Sequence, residues 1–320
     1  MLNFFKSKSK KHTIGFYNIE NLFDVYDDDF TRDDDFLPTS EKRWTVKRYR
    51  NKLRKIGFVI SNIGQEETKK HPAILGLAEV ENADVLTDLV NSKHIEDFKY
   101  KFVHYDSPDE RGIDVALLYD DTVFKVAHSE TFSLELFDED GKIDHTRDIL
   151  LASGLFEGLE LHILVNHWPS RRSGDNETEY KRMKASSKLS EIITNIKGKN
   201  PNAKIVVMGD FNDDPASNSI KQLVNDQGLF NPMNTLLSQD RGTTSYKNKW
   251  NLFDQILITH NFFERKSKTL RFLKANIFDE DFLKLYDGKY KGNPYRTYVG
   301  KRYKGGYSDH FPVYMIVSKK

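Results

Sequence analysis

The chain contains no cysteine, which excludes disulfides, thiolate nucleophiles and sulfur-built zinc centres and leaves the redox compartment open. It also lacks any apolar run near the roughly 18 residues that span a bilayer, and its opening segment, residues 1–12, has too short an apolar patch for a secretory leader. A cytoplasmic location with no membrane span is the resulting expectation. Neither sign of charge is in excess. Lys and Arg number 49 against 48 Asp and Glu, so no global field draws polyanions or acidic membranes, and any preference for phosphate has to be local. Proline- or serine-rich linkers that would cut the chain are missing too, and so are internal repeats of about 20–50 residues. No segment marks an obligate protein partner.

What is present is the mix of a globular chain with ample apolar area for a core: 38% hydrophobic and 12% aromatic residues over 320 positions. Residues 1–12 read as a basic tail, and Thr13 to Asn18 as a strand. Six aspartates crowd into 27–35, yet Arg32 stands where a calcium-binding EF-hand loop needs glycine, so a solvated acidic loop is the reading. From Ser40, read as an N-cap, Tyr49, Leu53, Ile56, Ile60 and Ile63 recur at three- and four-residue spacing and predict a helix. Its cations, among them Arg48, Lys52 and Lys55, read as a solvated face. β-Branched apolar runs follow at 73–80, 100–105, 113–119, 159–168, 204–208, 252–259 and 311–317. Helices are predicted around 189–196 and 219–225. Strands and a few helices mixed from end to end indicate a single α+β domain with packed sheets, spanning 13–320.

Polar residues cluster where these strands end and loops present side chains at a rim. The clusters are Asn18-Ile-Glu20-Asn21, Glu79, Asn166-His167-Trp-Pro-Ser-Arg171, Gly209-Asp210-Phe-Asn212 and Ser308-Asp309-His310. Asp254 differs in kind, because Leu252, Ile256 and Ile258 share its face at period two. A buried carboxylate needs a partner, and histidine is the natural candidate. Carboxylates with Asn and no Cys form an oxygen-rich site suited to Mg²⁺, with Mn²⁺ as the alternative, rather than to zinc. Nearby histidines suit proton handling or charge stabilisation at phosphorus.

In order and wording these segments resemble the endonuclease/exonuclease/phosphatase superfamily, which includes pancreatic-type deoxyribonucleases, AP endonucleases, bacterial sphingomyelinases and inositol polyphosphate phosphatases. The resemblance runs from Tyr17-Asn-Ile-Glu-Asn-Leu-Phe23 to Tyr307-Ser-Asp-His310, and the opening and the His167-Trp-Pro-Ser-Arg-Arg172 segment are most similar to bacterial members. It implies a four-layer α/β/β/α sandwich of two packed mixed β-sheets flanked by helices. It also implies roles: Glu79 as main Mg²⁺ ligand helped by Asn18, Glu20 and Asp309; Asp210 as the base that activates water; Asn212 on a phosphate oxygen. His310, oriented by Asp254, would stabilise the phosphoryl group, and His167 would serve the leaving oxygen. Glu20 stands where many members carry Asp or Asn, so its reach to the metal is the least secure. Asp114 is either a polar support for the site or part of a turn.

The reaction implied is in-line displacement by water at phosphorus, and the leading substrate expectation is nucleic acid. Arg171 and Arg172 could grip phosphate bidentately. The segment 289–304 interleaves bases with aromatics (Lys289, Tyr290, Lys291, Tyr295, Arg296, Tyr298, Lys301, Arg302, Tyr303, Lys304) in a mix that suits backbone contact and base stacking. The alternative is a phosphatase or phosphodiesterase on a small or lipid-linked phosphate, disfavoured because no exposed aromatic hairpin typical of membrane-acting relatives is read from the sequence. A non-catalytic binding module is opposed by the completeness of the set from Glu79 to His310.

Overall fold

The structure, a computed structural model, describes residues 9–137, 140–171, 174–247 and 249–319. Along the chain run β1 (Lys10–Leu22), α1 (Val46–Asn62), α2 (Gln65–Thr68), β2 (Ile74–Val80), α3 (Ala83–Val90), β3 (Lys101–His104) and β4 (Asp114–Tyr119). The middle of the chain adds β5 (Phe124–Phe132), β6 (Ile149–Phe156), β7 (Leu159–His167), α4 (Asp175–Lys199), β8 (Ile205–Asp210), α5 (Asn218–Gln227) and β9 (Leu229–Phe230). The last part supplies β10 (Thr244–Tyr246), β11 (Lys249–Asn251), β12 (Asp254–Thr259), β13 (Leu270–Ile277), β14 (Tyr298–Val299), β15 (Arg302–Tyr303) and β16 (Val313–Lys319).

Two mixed six-stranded sheets result, ordered β13-β16-β1-β2-β4-β3 and β5-β6-β7-β8-β12-β9. They pack face to face because their central strands are apolar on both sides. Ile163 and Val165, Val206 and Met208, Ile256 and Ile258 point into the space between the sheets with Phe16; the facing position of β2 is Gly76, where a Cβ would stand 2.8 Å from Met208 Sδ and 3.0 Å from Phe16 Cδ2. The alternate residues Leu164, Val207 and Leu257 point outward to Leu189, Ile192 and Ile193 of α4 and Ile220 and Leu223 of α5. Helices α1 and α3 cover the other sheet through Leu53, Ile56, Val85 and Leu89. The order helices, sheet, sheet, helices is the α/β/β/α sandwich. No helix among the described residues is long and apolar enough to cross a membrane.

Several boundaries depart from the sequence reading. Strand β1 begins at Lys10, inside the stretch read as tail, since His12 pairs with Val317 and is buried. Helix α1 starts after Thr45; Ser40 spends its hydroxyl on the carbonyls of Asp35 and Leu37 in a preceding turn. Strands β5 and β13 had no apolar signature because each lies at a sheet edge and is half-exposed, and each carries a register shift. The first half of α4 was invisible because its buried face is polar, with Thr178 and Arg182 among its inward residues. The acidic loop is not wholly solvated either, for Asp33 is buried and accepts from the Asp28 N–H.

Candidate active site

The central strands of both sheets end at one rim, and two interruptions of strand regularity aim the polar side chains there. The pairing of β1 with β2 shifts between Asn18 and Leu22, and that of β2 with β4 shifts between Ala78 and Val80. Glu20, Asn21 and Glu79 adopt left-handed backbone with φ of 52°, 50° and 65°, and Asn212, after β8, has φ 48°. Non-glycine residues in this region cost about 1–3 kcal/mol each and persist where the surroundings over-determine them. Here they do: the Glu20 N–H donates to Asn18 Oδ1 at 3.0 Å, the Asn21 N–H to Glu79 Oε2 at 2.9 Å, and the Asn212 N–H to Asp210 Oδ1 at 2.9 Å.

Asp210 is the focus. Asn18 Nδ2 donates to its Oδ2 at 3.0 Å, and two imidazole nitrogens stand farther off, His167 Nε2 at 3.6 Å and His310 Nε2 at 3.8 Å. Burial, with Asp254 nearby, pushes the Asp210 carboxyl up to about 6 against the opposing pull of His310. Gly209 makes this approach possible, since a Cβ there would stand 2.0 Å from the Asn166 carbonyl oxygen. Asp254 faces the space between the sheets as expected; it is fully buried, and its Oδ2 lies 2.7 Å from His310 Nδ1. Burial alone would lower the histidine, but the carboxylates of Asp254 and Asp210 overcome it and hold His310 well above its ordinary value. Asp210, Asp254 and His310 therefore stand together as a relay of carboxylate, imidazole and carboxylate.

Glu79 is mostly buried and faces neutral donors, Asn18 Nδ2 at 3.5 Å and the Asn21 N–H, with the Arg111 guanidinium 3.8 Å away. An anion so weakly compensated, beside Asn18 and Asp210 in an all-oxygen setting, fits a hard divalent cation. Glu20 has a different environment. Its Oε2 accepts from the Thr297 N–H at 2.6 Å and lies 3.9 Å from Lys52 Nζ, while Oε1 lies 3.4 Å from Arg296 Nε. Burial and then Asp309 push Glu20 up to about 7, and burial brings the Lys52 ammonium down to about 8. Arg296 also donates to Asp309 Oδ2 at 2.7 Å. His310, Arg296 and Lys52 outweigh burial at Asp309 and keep its carboxyl below the ordinary value.

Asn18, Glu20, Glu79, His167, Asp210, Asn212, Asp254, Asp309 and His310 thus gather at one rim. Asn212 donates its amide to the Trp168 carbonyl at 2.9 Å. Arg171 is engaged within the protein, by Asp213 at 2.5 Å, Asp175 at 3.0 Å and the Asn212 carbonyl at 2.6 Å. Arg172 lies outside the described residues. Asp114 opens β4 opposite Val80, and its carboxylate accepts from the Ser107 N–H at 3.0 Å with His104 Nε2 3.2 Å away.

Three residues at the rim escaped the sequence reading. Lys52 is buried rather than solvated, reaching Thr297 Oγ1 at 2.6 Å and the Tyr307 carbonyl at 2.7 Å. A signal existed, for Lys52 follows Tyr49 by three and precedes Ile56 by four and so shares the apolar face. Arg111 donates to Asn21 Oδ1 at 2.5 Å. Arg296 was counted with the substrate-facing loop and is exposed, though its head group pairs with Glu20 and Asp309; its neighbours turn inward: Tyr298 is buried with its hydroxyl on the Lys42 carbonyl, Tyr303 lies under Arg48, and Tyr295 donates to the Lys304 carbonyl. Lys289, Tyr290, Lys291, Lys301 and Arg302 remain exposed. Strands β10 and β11 pair, with Tyr246 at the end of β10 68% exposed and Trp250 on β11 stacked on Phe311.

A sequence model of the Endonuclease/Exonuclease/phosphatase family matches residues 13–319. No curated protein matches the chain significantly. Among solved structures, a family protein from Bacteroides thetaiotaomicron superposes with TM-score 0.59 at 16% identity, covering 98% of this chain and 96% of that one. The mannosyl-6-phosphatase Bt3783 of the same organism gives 0.58 at 16%, covering 96% and 99%. TDP2 from D. rerio, complexed with a single-strand DNA product, gives 0.56 at 14%, covering 96% and 98%. At such identities the likeness to solved structures speaks for the fold.

Proposed function

Because the chain belongs to the endonuclease/exonuclease/phosphatase family, whose members are phosphoester hydrolases, we propose that it is a divalent-metal-dependent hydrolase of phosphodiester bonds, acting on nucleic acid. The observation that carries the reaction class is the convergence of Asn18, His167 and His310 on Asp210. A carboxyl raised to about 6 is ionised at neutral pH yet basic enough to accept a proton from water in the transition state. Asn18 fixes the oxygen that takes it. His310, kept cationic by its two carboxylates, offers Nε2 to the phosphoryl oxygen on which charge builds. His167 stands on the same carboxylate oxygen and serves the leaving group. Glu79, with Asn18 beside it, is the set that would hold Mg²⁺ or Mn²⁺, which when bound supplies Lewis-acid stabilisation of the phosphate.

Nucleic acid leads as substrate on the exposed cations and aromatics at Lys289, Tyr290, Lys291, Tyr246 and Lys247. The second reading, a phosphatase on a small ester, is favoured by the inward turn of Tyr295, Tyr298 and Tyr303 and by the internal engagement of Arg171 and Arg296 with carboxylates. Magnesium-dependent hydrolysis across supercoiled plasmid, single-stranded DNA, RNA, and sugar and inositol phosphates separates them. Nicking that weakens steeply with salt supports nucleic acid; turnover of a sugar or inositol phosphate alone moves the substrate to the second reading. No hydrolysis and no thermal shift with divalent ions would refute both.

A further inference from the structure

The Arg296 guanidinium bridges two carboxylates that the family resemblance assigned to metal. Its Nε is 3.4 Å from Glu20 Oε1 and one terminal nitrogen is 2.7 Å from Asp309 Oδ2. Glu20 has a second cation in Lys52 and a backbone donor in Thr297, so its charge is met from three directions. Glu79 and Asp210, by contrast, face chiefly neutral donors inside 3.5 Å.

The bridge is built into the loop rather than draped over it. Segments 295–297 and 304–307 are tied by the Tyr307 N–H to the Tyr295 carbonyl at 2.6 Å, the Gly306 N–H to the Arg296 carbonyl at 3.2 Å and the Lys304 N–H to the Thr297 carbonyl at 2.8 Å. The two segments press so closely that a Cβ on Gly306 would stand 1.9 Å from the Tyr295 oxygen. Lys52 pins both from α1, through Thr297 Oγ1 and the Tyr307 carbonyl. A divalent ion seated between Glu20 and Asp309 would have to expel a guanidinium from paired acceptors and then sit beside the buried Lys52 ammonium. Both costs act against it.

We propose that Arg296 is a cation supplied by the chain itself that fills the Glu20 and Asp309 side of the centre and restricts it to one divalent ion, held on the Glu79 side; Glu20 is then a positioning residue for the 295–307 loop and not a ligand. The inference rests on the metal-dependent reading above and adds the number of ions and what sets it.

The test is Mn²⁺ binding by the full chain, counted by electron paramagnetic resonance and by calorimetry, with circular dichroism checking the fold. Wild type should bind one ion, Arg296→Met two, and Arg296→Lys one. Glu20→Gln, which keeps the acceptor for the Thr297 N–H and needs no vacant cation site, should bind one ion with affinity within about threefold of wild type. Two ions in wild type, one in Arg296→Met, or a tenfold weaker ion in Glu20→Gln would each overturn the proposal while leaving metal dependence standing. No ion in wild type would overturn the metal-dependent reading, and this proposal with it.

Discussion

Replacing Asp254 by Asn tests the relay at its most buried member. The substitution keeps the shape and removes one charge 2.7 Å from His310 Nδ1. With charge centres roughly 4 Å apart and an effective dielectric constant of about 20, the lost attraction is about 4 kcal/mol, and its loss brings the His310 value down. A smaller share of His310 would then be cationic at neutral pH, and the phosphoryl oxygen would lose part of its cationic donor. Turnover at neutral pH should fall by about 10²–10³-fold, the range for removal of one such stabilising group, and the deficit should shrink as acid restores the imidazolium. The fold should hold, since a buried anion is being removed rather than orphaned. In wild type, the folded value of His310 lies above its unfolded value, so the pair stabilises fully below the ordinary histidine range and the contribution fades as pH rises through the raised value; the variant should lose that dependence. Steady-state hydrolysis across the neutral range and an NMR titration of His310 are the assays. Activity within about threefold of wild type at pH 7, or an unmoved His310 midpoint, would refute the relay.

Lys52→Met should cost about 3 kcal/mol in urea unfolding, the lower end for breaking a buried pair, because Arg296 still faces Glu20; adding Glu20→Gln should recover most of it, and a loss under about 1 kcal/mol would show that the ammonium is not needed. Glu81 is pushed up to about 8 by burial and then by Asp24, Asp33 and Asp28. A carboxyl raised in the folded state costs stability as pH rises from its ordinary range toward 8, so Glu81→Gln, which keeps an acceptor for the Asp24 N–H, should raise Tm at pH 8 and leave it unchanged at pH 4. Equal effects at both would argue against the titration. Gly209→Ala places a Cβ against the Asn166 backbone and should destabilise by about 1–3 kcal/mol while displacing Asp210; an unchanged Tm would mean that the strand gives way.

Much of the site was legible because its residues sit at the ends of β-branched runs: Glu79 closing β2, Asp210 closing β8, and Asp254 opening β12 on a face otherwise apolar. The Asp254 and His310 pairing followed from the cost of an isolated buried carboxylate, and the 2.7 Å contact matches it. What stayed hidden was the strand irregularity. Register shifts near Asn18 and Ala78 turn Glu20, Asn21 and Glu79 through left-handed backbone, and alternation at period two carries no mark of a bulge. The loop 289–304 misled for a related reason. Its alternation of bases and aromatics reads alike whether the rings face solvent or, as Tyr298 and Tyr303 do, pack against α1 and Trp44. The polar buried face of α4 and the half-exposed edge strands β5 and β13 lacked the apolar contrast on which periodicity depends.

The most direct measurement is hydrolysis of a chromogenic phosphodiester by wild type and by Asp210→Asn, each with magnesium or manganese and again after chelation. If Asp210 activates water at a divalent centre, wild type turns over only with the metal, and the variant, folded and still able to bind the ion, loses at least about 10³-fold. Turnover that survives chelation, or an Asp210→Asn protein as active as wild type, would contradict it.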